Sequence, residues 1–102
     1  MEKRSPIFDK VSKSTPPELK RKVVLSFAIS QRILEILEYR GISQAELARM
    51  LSKSESEISK WMSGVHNFTS ETIAKIEVAL DEDILTIAQG FRHKPLAVKK
   101  RK

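Results

Sequence analysis

The chain of 102 residues contains no cysteine, which excludes disulfides, thiolate metal sites and a cysteine nucleophile and fits a reducing cytoplasm. It has only three glycines, and they form no phosphate-cradling loop. Its two histidines, His66 and His93, stand apart from each other and from any partner arrangement that general acid–base chemistry would need. The acidic triplet Asp81-Glu82-Asp83 lacks the 12-residue spacing and central glycine of a calcium loop and reads instead as a helix exit or cap. No catalytic residue, metal site or cofactor is therefore expected. Apolar runs stay far short of the roughly 18 residues that cross a bilayer, and Met1-Glu2-Lys3-Arg4-Ser5-Pro6 lacks the apolar stretch of a signal peptide. The expectation is a soluble cytoplasmic protein with no membrane partner, whose 40% of apolar residues close one modest core.

What the chain does have is a pair of helix-start signals placed almost back to back. Ser43-Gln44-Ala45-Glu46 and Ser54-Glu55-Ser56-Glu57 are both Ser-x-x-Glu capping boxes, in which the serine caps the helix and the glutamate answers the serine's own N–H. The first predicts a helix from Gln44 to Leu51, the second a helix from Glu55 to about Ser63 that Gly64 ends. Only Ser52, Lys53 and Ser54 lie between them, so the chain must turn sharply, as in a helix-turn-helix. The earlier helix buries Ala45, Leu47, Ala48 and Leu51 and leaves Glu46 and Arg49 outside. The later one turns Ile58, Trp61 and Met62 inward and presents Glu55, Ser56, Ser59, Lys60 and Ser63.

The flanking segments complete an all-α reading. Thr15-Pro16-Pro17-Glu18 is a third box with proline in the first turn. After it, Val23, Val24, Phe27, Ile29, Ile33, Ile36 and Leu37 recur at helical steps until Arg40-Gly41. That stretch reads as one helix of about 24 residues or as two broken near Ser26. Thr69 caps a further helix with Ile73, Ile76 and Leu80 inward and Glu71 in its first turn. Asp81 to Ala88 reads as one more short turn or helix built on Ile84, Leu85 and Ile87. The expected organisation is a flexible N-terminal segment over residues 1–14, a folded domain over 15–89 and a basic tail over 90–102.

Charge divides the chain in a similar way, with its first break at residue 22 inside the expected first helix. The net +6 is unevenly spread: residues 1–22 carry seven Lys/Arg and three acids, residues 23–89 six and ten, and residues 90–102 six and none. The domain itself is acidic, and any attraction to a polyanion belongs first to the ends.

Gly41-Ile42-Ser43-Gln44-Ala45-Glu46-Leu47-Ala48, then Ile58-Ser59-Lys60-Trp61, Gly64 and Glu71-Thr72-Ile73-Ala74-Lys75-Ile76 together resemble the lambda-repressor-like, Cro-type helix-turn-helix family over about residues 29 to 85. The resemblance implies a bundle of four to five helices that binds double-stranded operator DNA as a homodimer, with the helix starting at Glu55 in the major groove. By the same resemblance Gln44 meets a phosphate or an outer base, and Glu55, Ser56 and Lys60, flanked by Ser54 and Ser59, face base edges. The loop from Gly64 to Ser70, with His66, Asn67, Thr69 and Ser70, matches a second phosphate clamp, and Lys53 adds a local positive charge. Two features depart from the family pattern. Ser52 stands where glycine is usual because the turn needs a positive φ, and Val65, His66 and Phe68 replace residues that are commonly lysine, arginine and proline.

Plainer readings stand beside these. Ile58 and Trp61 are core, and Ser43, Ser54, Glu46 and Glu57 are caps before they are DNA contacts. Glu55 could accept from a cytosine amino group or merely repel phosphate. The lysine-rich end could be a DNA-binding arm or a solubilising tail. The leading functional expectation is a sequence-specific repressor, dimerising through a surplus of apolar residues at Leu34 and Leu37. The alternative is an antitoxin resembling the HigA type, in which the same fold also binds a toxin protein. A third is an interaction module without DNA binding.

Overall fold

A computed structural model describes residues 15–95. The expected flexibility of residues 1–14 and the terminal cluster Lys99-Lys100-Arg101-Lys102 lie outside the described residues. Helix α1 spans Pro17–Arg40 without a break, which decides between the one-helix and two-helix readings. It starts at Pro17 because a proline ring bars the preceding residue from helical backbone, and Pro16 accordingly sits at φ −59°, ψ 144°. This corrects the expected capping box at Thr15: the cap position is Pro16, with no side-chain hydrogen bond. The helix stops at Gly41, whose φ of 67° lets the N–H of Ile42 reach the Leu37 carbonyl at 2.9 Å.

Helix α2 covers Gln44–Leu51 and opens on a complete box, with the Glu46 N–H donating to Ser43 Oγ at 3.0 Å and the Ser43 N–H donating to Glu46 Oε1 at 2.8 Å. It ends at Ser52, which takes the left-handed conformation at φ 57° while the Lys53 N–H closes on the Ala48 carbonyl at 2.8 Å. A Cβ in that region is strained, so Ser52→Gly is expected to raise stability by about 1 kcal/mol, visible as a higher urea midpoint with an unchanged slope.

Helix α3, Glu55–Trp61, ends two residues before the expected Ser63. Its last turn tightens, with the Met62 N–H shared between the Ile58 and Ser59 carbonyls and the Ser63 N–H on Lys60. Only half of its box forms. Ser54 Oγ accepts from the Glu57 N–H at 3.1 Å, but the Glu57 carboxylate lies 3.9 Å from Lys53 Nζ rather than returning to the Ser54 N–H. Helix α4, Ser70–Leu80, is capped by Thr69 Oγ1, which accepts the Thr72 N–H at 3.1 Å.

No further helix follows α4 among the described residues, so of the short turn or helix expected over Asp81 to Ala88 only a turn at Asp81 forms. Asp81 leaves α4 in the left-handed conformation at φ 54°. Glu77 Oε2 then accepts the N–H groups of Ile84 at 2.8 Å and Leu85 at 3.0 Å, so a side chain does for this segment what helical carbonyls would have done. Ile84 is buried, whereas Leu85 and Ile87 are exposed. Two arginines of α1 fasten the same segment: Arg32 Nε donates to the Asp83 carbonyl at 2.9 Å, and Arg40 pairs with Glu82 at 2.8 Å. The acidic triplet is thus engaged in holding the chain end against α1.

The core draws on every helix. Ile33, Leu47, Ile58 and Ile76, one from each, are fully enclosed, with Ile29, Ile36, Leu37, Ala48, Trp61, Ile73, Leu80 and Ile84 around them. Leu37 is buried, which corrects its assignment to a dimer surface; Leu34 is half-buried. Inside the apolar face of α1 lie two buried serines, and Ser30 Oγ donates to the Trp61 carbonyl at 2.6 Å. A buried polar group is tolerated only when so bonded, and this bond ties the end of α3 to the middle of α1.

The Glu77 bonds carry a pH dependence. The N–H groups of Leu85 and Ile84 hold its carboxyl below the ordinary glutamate value. A folded-state value below the unfolded one gives stability that is complete above the unfolded value and is lost as pH falls through the folded one. Glu77→Gln is expected to flatten the acid limb of a stability–pH profile and to lower stability at neutral and alkaline pH, where the slope stays as in the wild type.

Candidate nucleic-acid interface

The side chains that build the turn between α2 and α3 are already engaged with one another, although the Ser54 hydroxyl and the Lys53 ammonium keep protons to donate. Ser43 and Glu46 are occupied with each other, and Ser54 holds the Glu57 N–H. Lys53 leans toward Glu57. What the turn achieves is placement: with Ile58 and Trp61 sunk in the core, the opposite side of α3 has to face water. Glu55, Ser56, Ser59, Lys60 and Ser63 are all exposed. At 3.6 residues per turn they occupy a strip roughly 140° wide, with no large apolar side chain on it. Ser56 Oγ lies 3.4 Å from Ser54 Oγ, and either hydroxyl can donate. Gln44 stands exposed at the first position of α2.

The loop between α3 and α4 differs from the sequence reading in one respect. His66 is half-buried, its ring 4.7 Å from Phe68 in an edge contact and 5.9 Å from Trp61, while Phe68 stands 6.1 Å from Trp61. Two of the residues that depart from the family pattern here, His66 and Phe68, form an aromatic lid over Trp61. Asn67, Thr69 and Ser70 remain outside the core. Thr69 is engaged as the α4 cap, and the first N–H groups of α4 have no partner within the helix, a standing arrangement for an anion.

Electrostatics set the character of this surface. From Ser43 to Ser63 the chain carries three bases (Arg49, Lys53, Lys60) and three acids (Glu46, Glu55, Glu57), so the two helices are neutral together. Glu46 and Glu57 have internal partners. Glu55 has neither hydrogen bond nor ion pair through its side chain among the described residues. A surface of hydroxyls, one amide, one ammonium and one carboxylate is suited to hydrogen-bonded recognition, with little nonspecific attraction to phosphate.

Sequence reasoning missed Ser30. Its position is remote from the strip, yet its bond to the Trp61 carbonyl helps fix the direction in which α3 leaves the core. The available signal was a polar residue on the apolar face of a helix, three positions before Ile33.

Residues 33–87, just over half of the chain, fit the family model described as helix-turn-helix. That stretch runs from the second half of α1 through the segment fastened by Glu77. No curated protein and no solved structure matches the chain.

Proposed function

We propose, from the premise that this chain belongs to the lambda-repressor-like helix-turn-helix family of DNA-binding regulators, that it is a repressor reading operator DNA with the outward face of α3. The observation that carries the reading is the strip of Glu55, Ser56, Ser59 and Lys60, all exposed on a helix whose other side is locked into the core by Ile58 and Trp61. In this reading Ser56, Ser59 and Lys60 meet base edges. Gln44, Lys53, Ser54 and the turn over residues 67–70 fix the register on phosphates, and His66 adds a partial contact from the edge of its ring cluster. Repression follows from occupancy in the cytoplasm, without chemistry. Among the described residues no helix is long and apolar enough to cross a membrane.

Two further parts belong to the proposal. The domain acts as a homodimer on two half-sites roughly 34–36 Å apart; the apolar side chains standing in water at Val78, Ile87 and Phe91 support a second copy as partner. The basic tail supplies affinity. Residues 90–102 carry six Lys/Arg and no acid, against a domain that is acidic. The test is a salt-titrated binding assay on the promoter upstream of the chain's own gene. Cutting the chain after Gly90 should reduce the slope of log K against log salt by up to about 5, since each neutralised phosphate contributes about 0.9. Preference for the promoter over scrambled duplex should survive the cut.

An antitoxin role is the second reading. It is supported by Leu19, Val24 and Leu25, exposed on the first half of α1 away from the helix-turn-helix, where a toxin protein could pack. Co-expression with a neighbouring reading frame tests it, and the absence of both a stable complex and rescue from toxicity would remove it.

A further inference from the structure

Of the two charged groups on the α3 strip, Lys60 has the sign that suits DNA and Glu55 has the wrong one. Glu55 is exposed at the first position of the helix, and among the described residues no cation lies within ion-pairing distance of it. The nearest lysine in sequence, Lys53, faces Glu57. Ser59, one turn along the same side, presents only a hydroxyl. A bare carboxylate that approaches a phosphate backbone is repelled, and it loses its water on entering a groove. The position is compatible with binding only where the DNA supplies a hydrogen-bond donor to replace that water.

In the major groove the base edges offer few donors: the N4 amino group of cytosine and the N6 amino group of adenine. Adenine places its N7 acceptor directly beside N6, so the second carboxylate oxygen would face a lone pair. Cytosine has a C–H at that place. We infer that Glu55 is a specificity-determining residue that selects cytosine at one position of each half-site. This rests on the reading that α3 enters the major groove, and it assigns Glu55 a base where the charge alone would argue against contact. The carboxylate acts less by adding affinity than by excluding guanine and thymine, whose major-groove edges present acceptors to it.

A selection from duplexes with randomised half-sites, using the full-length chain, tests the inference with three proteins. The wild type should enrich one cytosine position by roughly tenfold over the other bases. Glu55→Gln should keep the rest of the selected site and change that position to adenine, because an amide donates to N7 while accepting from N6. Glu55→Ala should lose the preference at that position alone. The Glu55 side chain has no hydrogen bond or ion pair among the described residues, so both variants should fold and lose at most the few degrees that a first-turn carboxylate adds through the helix dipole; Glu55→Gln and Glu55→Ala lose that alike, which separates a reading effect from a folding effect. If all three proteins select the same site at every position, Glu55 reads nothing and the inference is overturned while groove binding stands. If the wild type selects no site, the groove reading fails and the inference with it.

Discussion

Trp61→Ala is expected to remove most of the stability of the domain and to bring it close to its unfolding midpoint at 37 °C. The side chain is 5% exposed, and truncating a buried aromatic to alanine removes about 3–5 kcal/mol. A domain of this size has a total stability near the lower end of about 5–15 kcal/mol. The loss reaches past the cavity, because the rings of His66 and Phe68 rest on Trp61 and the loop they belong to leads into the Thr69 cap of α4. Trp61→Phe keeps a ring for that lid to close on and should cost clearly less. Trp61 is the only tryptophan, so wild-type unfolding can be followed by fluorescence, whereas the variants require helical circular dichroism. A Trp61→Ala protein with a native helical signal and a normal melting transition would show that α3 is not held by this residue.

The second large effect separates recognition from folding. Gln44→Ala and Lys60→Ala together are expected to weaken operator binding by roughly 100-fold, on the basis of about 1–3 kcal/mol for each good contact. Both side chains are exposed and without hydrogen-bond or ion-pair partners among the described residues, so stability should change by less than about 0.5 kcal/mol. The two singles should differ in kind. If Gln44 holds a phosphate and Lys60 a base edge, as proposed, Gln44→Ala should weaken promoter and scrambled duplex alike, whereas Lys60→Ala should narrow the gap between them. A double variant that binds with wild-type affinity would place the DNA surface elsewhere.

Much of this architecture was legible in the sequence because its signals are local. The Ser43 box, the Thr69 cap and the left-handed Gly41 each involve residues within five positions of one another, and the structure makes all three. The positive φ at Ser52, expected where glycine is usual, is present as well. Most of the misreadings arise from contacts that reach beyond one helical turn. Periodicity showed that α1 has a broad apolar face, but not how much of it the rest of the chain covers: Leu37 looked surplus and lies in the common core, while the segment after α4 is fastened to α1 by Arg32 and Arg40. The short apolar pattern of Ile84, Leu85 and Ile87 left a turn and a helix both open because nothing in it announces that Glu77 will take two of its N–H groups. The first helix begins one residue later than the box at Thr15 implied, for a local reason that was available, the second of two consecutive prolines. The candidate site divides the same way. The outward strip of α3 followed from helical spacing and the inward Ile58 and Trp61, while the engagement of His66 by two rings depended on packing that no spacing rule conveys.

That α3 reads sequence is tested most directly by titrating the full-length protein, at several salt concentrations, against its own promoter duplex and a scrambled duplex of equal length. Binding to the promoter should be tighter at every salt concentration, with a ratio that Lys60→Ala reduces. Equal affinity for the two duplexes throughout would contradict a reading role for α3.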